Sequence, residues 1–168
     1  MNRYKNDIVI SSAKEDIEQV DKLYQAFDKK GLKVWCSKDI DKGANYEKVI
    51  ESSLKEARCV VFVTSSDFSR SQWCRQELEW AFAEEMRKDK SDFAIFEIPL
   101  ETDKNGYSCC NELKQRREQY IPWENNPNEI AAEVCRILQI RIPDKEEHIR
   151  KYSQLNTWLR NERKDEII

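Results

Sequence analysis

The sequence predicts an α/β domain with one parallel sheet and helices on both of its faces. Short apolar, β-branched segments alternate about five times with longer segments of helical periodicity, the signature of a parallel sheet joined by helical crossovers. The central apolar segments are unbroken rather than alternating, as in strands buried on both faces. A length of 168 residues fits one domain with a short appendage.

Each element has its own signal. Asp7-Ile8-Val9-Ile10 is an apolar run stopped by Ser11-Ser12 and reads as the first strand. Ile17, Val20, Leu23, Tyr24 and Phe27 then recur at helical spacing; Ser12 and Glu15 have capping-box spacing for the start of that helix, and Gly31 ends it. Leu32-Lys33-Val34-Trp35-Cys36 is the second strand, and a polar loop with Gly43 leads to a helix marked by Tyr46, Val49, Ile50, Ser53 and Leu54. Cys59-Val60-Val61-Phe62-Val63 is the clearest strand in the chain. A Ser/Asp/Arg loop follows, then a helix from about Gln72 to Arg87. Phe93-Ala94-Ile95-Phe96-Glu97-Ile98 is a strand closed by Pro99. Residues 101–118 are polar, with Asn105-Gly106 as a turn. Tyr120-Ile121-Pro122-Trp123 is expected as a fifth, edge strand, and Asn128 as the cap of a helix carrying Ile130, Val134, Ile137 and Leu138.

After Pro143 the chain turns mostly charged, with Ile149, Tyr152, Leu155, Trp158 and Leu159 at roughly helical spacing. The expected organisation is a domain over 1–142 and a helical extension or connector over 143–168. A sheet of this kind opens its ligand crevice at the carboxyl ends of its strands. The loops gathered there are 11–15, 37–45 and 64–72.

Composition excludes several classes. The net charge of −3 gives no general electrostatic case for nucleic acid or an anionic membrane as partner. Six cysteines without a C-x-x-C pair, and one histidine far from them, predict neither a zinc site nor a disulfide framework. No apolar run is long enough to span a bilayer and no signal segment opens the chain, so a cytoplasmic protein is expected. There is no G-x-G-x-x-G and no phosphate-loop motif. His148, the one histidine, lies in the charged tail, which leaves a serine or cysteine hydrolase without its base. A receiver domain of the response-regulator kind would need paired acidic residues after the first strand and an Asp ending the central one, where Thr64-Ser65 stands.

Three boxes in order carry a resemblance. They are Asp7-Ile8-Val9-Ile10-Ser11-Ser12-Ala13, then Asp39-Ile40-Asp41-Lys42-Gly43-Ala44-Asn45-Tyr46, then Ser71-Gln72-Trp73-Cys74-Arg75-Gln76-Glu77-Leu78. From about Asp7 to about Ile140 the chain resembles TIR domains, and within them those that cleave NAD. The resemblance implies a flavodoxin-like three-layer sandwich, the TIR fold, with a five-stranded parallel sheet. Where the family often has Tyr, His or Phe after the first-box serine, this chain has Ser12, which offers no ring.

Trp73 and Glu77 are four apart on a predicted helix and share one face. Glu77 matches the catalytic glutamate of the NAD-cleaving members, and Trp73 the tryptophan that accompanies it. The implied activity is an NAD nucleosidase, with NAD as substrate and no cofactor or metal. The bond between ribose and nicotinamide behaves like a glycosidic bond, and its rupture builds oxocarbenium character on the sugar. Nicotinamide departs neutral from a cationic ring, so one carboxylate that orients the ribose and stabilises positive charge suffices. Attack by water gives ADP-ribose; attack from within the molecule gives a cyclic isomer. Ser11 and Lys14 are further candidates for ribose or phosphate contacts, and Tyr46 for closing over the base. The resemblance also implies a homo-oligomer through TIR–TIR contacts, with Lys38, Asp39, Asp41 and Gly43 at the interface and activity dependent on self-association. Bacterial defence or signalling is the setting suggested by the family alone. The alternative is an adaptor TIR domain that keeps the Trp-Cys-x-x-Glu-Leu pattern for packing and acts only by binding other TIR domains.

Overall fold

Val60, Val61, Phe62 and Val63 leave no face of a pleated strand suited to water, and β3 (Ala57–Thr64) is accordingly buried along its whole length. The computed structural model describes residues 4–36, 45–88, 93–114, 116 and 119–141. Beside β3 lie β1 (Asn6–Ser12) and β4 (Ala94–Pro99), and β2 (Val34–Cys36) pairs with the far side of β1. The order is β2-β1-β3-β4 and every pairing is parallel. In register, Ile10 stands between Cys36 and Val61, and Val61 between Ile10 and Phe96.

Among the described residues the sheet has four strands, not the five expected. Segment 119–121 reaches the open edge of β4 but makes a single parallel bridge, Tyr120 with Glu97. Glu97 N–H donates to the Gln119 carbonyl at 3.0 Å and Ile121 N–H to the Glu97 carbonyl at 2.9 Å. The next bond of this ladder would run from the N–H of residue 99 to the Ile121 carbonyl, and Pro99 has no N–H to give.

Between strands run α1 (Ile17–Lys29), α2 (Tyr46–Lys55), the short α3 (Ser66–Arg70) and α4 (Gln72–Lys88), and the single turn α5 (Asn111–Lys114) and α6 (Pro127–Arg141) follow β4. The expected capping box at Ser12 does not form. Ser12 stays in β1, a 3-10 turn over Lys14–Asp16 intervenes, and no side-chain cap bond is made at Ala13 or Asp16. Gly31 does end α1: at φ +79° it lets Leu32 N–H reach the Phe27 carbonyl (3.2 Å) while its own N–H bonds Asp28 (2.9 Å), a Schellman closure. The last helix is capped by Asn126, not Asn128. The Asn126 side-chain oxygen accepts from Glu129 N–H at 3.3 Å, and Pro127 occupies the first helical position, where a missing N–H costs nothing.

Alternation of side chains along the strands splits the core in two. Ile8, Ile10, Cys59, Val61 and Phe96 face α1 and α6; Val9, Val60, Phe62 and Ile95 face α2 and α4. Trp123 packs against the first cluster and Trp35 against the second, as core or edge residues. Lys88, at the end of α4, spans to the end of α2: its ammonium donates to the carbonyls of Leu54, Lys55 and Ala57 at 3.1, 2.6 and 3.3 Å, and lies 4.9 Å from the Phe93 ring centre. This cation at a helix C-terminus meets the carbonyls that the helix itself cannot satisfy. Among the described residues no helix is long and apolar enough to cross a membrane. The expected extension over 143–168 lies outside the described residues.

Candidate active site

Beyond the carboxyl ends of β1 and β3 lies a cleft of about 920 Å³. Its walls are Ser12, Ala13, Lys14, Glu15 and Ile17 from the β1–α1 connection, Tyr46 from α2, Asp67 and Arg70 from α3, and Ser71, Trp73, Cys74 and Glu77 at the start of α4. Four elements meet here because β1 and β3 are neighbours and both send their chains out over the same end of the sheet.

Local sequence sets each wall. Ser65 starts α3 by accepting the Phe68 N–H at 3.1 Å, and its own hydroxyl donates to Asp16 at 2.5 Å, joining the two loops. Ser71 then starts α4, its hydroxyl accepting from Cys74 N–H at 3.3 Å. From that start, Trp73 falls on the open side of the first turn and Glu77 one turn deeper. Leu78 and Ala81 are fully buried against the sheet.

Glu77 is only 5% exposed yet forms part of the cleft wall. One carboxylate oxygen accepts from the Ser11 hydroxyl in a short hydrogen bond, and the other from the Tyr46 hydroxyl at 3.1 Å. Burial pushes the carboxyl above the ordinary carboxylate range, and the two hydroxyl donors pull it part of the way back. Tyr46 is pushed up as well, by its own burial and then by the charge of Glu77. Burial likewise raises the Cys74 thiol, to about 12.

Glu77 differs from the other acids that α4 buries. Glu84 has Arg87 at 2.7 Å and Lys88 at 3.7 Å, and Glu85 has Arg116. The hydrogen-bond partners of Glu77 are hydroxyls, and it makes no ion pair among the described residues. A carboxyl buried beside hydroxyls alone has no direct counter-ion when it ionises.

The sequence-derived candidates are only partly gathered here. Glu77, Trp73, Tyr46 and Lys14 all line the cleft. Trp73 is half exposed, with its ring edge-on to Tyr46 at 4.7 Å between centres and 70° between planes. Ser11 is buried beneath the carboxylate and does not line the cleft; Ser12 is the serine that does. Lys38, Asp39, Asp41 and Gly43 lie outside the described residues. Ile17, Asp67 and Arg70 join the cleft without a signal of their own, because 64–72 reads as a loop and Ile17 as a core position of its helix. The signal for α3 was present in Ser65, a helix-capping residue directly after a buried strand. Among the described residues no group of three or more His, Cys, Asp or Glu is placed to hold a metal.

The chain is 33% identical over 103 residues to the Probable 2′ cyclic ADP-D-ribose synthase TcpO of Methanobrevibacter olleyae, covering 60% of this chain and 30% of that protein. It is 30% identical over 101 residues to the Disease resistance protein RUN1 of Vitis rotundifolia, covering 58% of this chain and 7% of that one. The chain thus spans less than a third of the length of either relative. Among solved structures, the TIR domain of the Toll-related receptor TRR-2 from Hydra magnipapillata superposes with a TM-score of 0.63 at 17% identity, over 80% of this chain and 99% of that one, a likeness of fold. The family model described as TIR domain matches residues 8–138, nearly the whole of the described sheet and its helices, and the chain belongs to the TIR domain family.

Proposed function

We propose that this TIR domain cleaves the bond between nicotinamide and ribose in NAD, with Glu77 as the catalytic carboxylate. The observation that carries this reading is a buried carboxylate on a cleft wall whose partners are hydroxyls rather than a cation. Such a group has unspent capacity for positive charge, and NAD supplies it: the nicotinamide ring is cationic in the ground state, and the ribose becomes so as the bond breaks. Trp73 and Tyr46 offer ring surface beside the carboxylate, and Lys14 a charge for phosphate. Ser11 orients Glu77 from below. The name of the TcpO relative, a probable cyclic ADP-ribose synthase, supports NAD as the substrate class and extends the product to a cyclic isomer as well as ADP-ribose. No cofactor or metal enters the reaction. Activity in this reading depends on self-association through the segment 38–43, and the Disease resistance protein RUN1 relative suits a role in immune signalling.

The test is NAD consumption by the purified, concentrated chain, beside Glu77→Ala and Glu77→Gln. Turnover by the parent and its loss in both folded variants is the expected result. A second reading, the adaptor, is favoured by one observation: both Glu77 oxygens are already satisfied within the chain, as a purely structural carboxylate's would be. Absence of turnover in forced assemblies would select it.

A further inference from the structure

Two uncovered apolar side chains face the same cleft. Among the described residues four large hydrophobics are exposed, and two of them, Ile17 at 42% and Trp73 at 50%, belong to its walls. By spacing, Ile17 continues the stripe of Val20, Leu23 and Phe27 that α1 buries completely. As the first residue of α1, however, it stands where the chain has just left the end of β1, and opens onto the cleft instead of the sheet. Lys14, Glu15, Asp67 and Arg70 put charge around Ile17 and Trp73 in the same cleft. Apolar surface left open to water in a cleft is unfavourable until a ligand covers it, and ligand sites commonly combine such surface with a few charged groups.

We propose that Ile17 and Trp73 clasp a planar heteroaromatic ring of the dinucleotide, which makes Ile17 a specificity-determining residue of the site. The inference rests on the NAD reading above. Trp73, half exposed and T-shaped to Tyr46, presents ring surface to such a ligand, and the β-branched Ile17 presents a stiff aliphatic surface from a different element. Two rings are available on NAD, the nicotinamide and the adenine. ADP-ribose keeps only the adenine and nicotinamide mononucleotide keeps only the nicotinamide.

The experiment is calorimetric titration of NAD, ADP-ribose and nicotinamide mononucleotide into Glu77→Gln protein, which leaves the ligand intact, with and without Ile17→Ser. Expected is an affinity for NAD lower by about ten-fold in the doubly substituted chain, the cost of losing apolar contact in a binding pocket. The same loss should appear for the one fragment whose ring is clasped. Ile17→Leu should restore binding, and Ile17→Ser in the Glu77 chain should raise KM while kcat is retained. Equal NAD affinity with Ile or Ser at position 17, in a protein that consumes NAD, overturns the clasp and leaves the enzyme reading standing. So does a change in self-association, by sedimentation, without a change in affinity; Ile17 would then belong to a surface between copies. A parent chain that neither binds nor consumes NAD even in forced assemblies removes both.

Discussion

Glu77 carries an energetic cost at neutral pH that its position makes measurable. Its carboxyl is raised in the folded chain, chiefly by burial, so the folded state favours the protonated form. Stability from this group is complete below the unfolded value near 4.5 and is lost as pH rises through the raised folded value. Glu77→Gln is therefore expected to melt higher than the parent at pH 7, by about 2–4 °C for each kcal/mol relieved, with the gap closing toward pH 4. A variant that melts lower at pH 7 would mark Glu77 as a structural acceptor instead of a strained functional group. Tyr46→Phe keeps the ring against Trp73 and removes one of the two donors that favour the ionised carboxylate. The acid limb of NAD consumption should then move to higher pH; a limb that stays in place would show that the Tyr46 hydroxyl does not tune Glu77. At this scale the sequence was legible where a motif matched: Trp73, Glu77, Tyr46 and Lys14 do meet in one cleft. It was not legible for Ser11, because period-2 alternation says which face a strand residue takes but not what stands opposite. Ser11 faces α4 and holds Glu77 from beneath.

Elements were easiest to read where local chemistry alone decides them. Gly31 is such a case, since the left-handed backbone at φ +79° and the two carbonyls it helps to satisfy depend on no distant contact. Nothing lies within 4 Å of where a side chain would begin, so Gly31→Ala tests the backbone term alone. It should lower stability by about 1 kcal/mol, read by chemical denaturation; an unchanged midpoint would mean that the turn tolerates an L side chain without strain. Reading failed where tertiary contacts outvoted a local signal. Ser12 and Glu15 have the right spacing for a cap, but Ser12 is held in the sheet opposite Val63 and Glu15 faces the cleft. At the edge, Pro99 limits the fifth strand to one bridge, because it lacks the N–H that the Ile121 carbonyl would next accept. Asn126 displaces Asn128 as cap because Pro127 already sits at the first helical position.

Across the whole molecule, the two-faced core explains the cysteines. None of the six is in a disulfide, and Cys36, Cys59, Cys74 and Cys110 are buried while Cys109 and Cys135 are partly exposed. Burial raises the Cys110 thiol to about 12, as it does that of Cys74, which keeps both out of the reactive thiolate form. A thiol reagent at mild alkaline pH should thus label Cys109 and Cys135 first in the folded chain and reach all six only on unfolding, as mass spectrometry would show. Rapid labelling of Cys74 would instead mean that the floor of the cleft opens. The layered architecture was readable from the alternation of strand and helix, since it follows from burial on two faces. The cleft's outline was not, because it depends on how four separate connections pack over one end of the sheet. Tyr46 grips α4 at one end of α2, and Lys88 grips the other end from α4. The two helices are bolted together at both extremities, so neither slides lengthwise alone. A force applied to the outer side of α2 is handed straight to the carboxylate, as pressure on one handle of a pair of tongs is felt at the jaws.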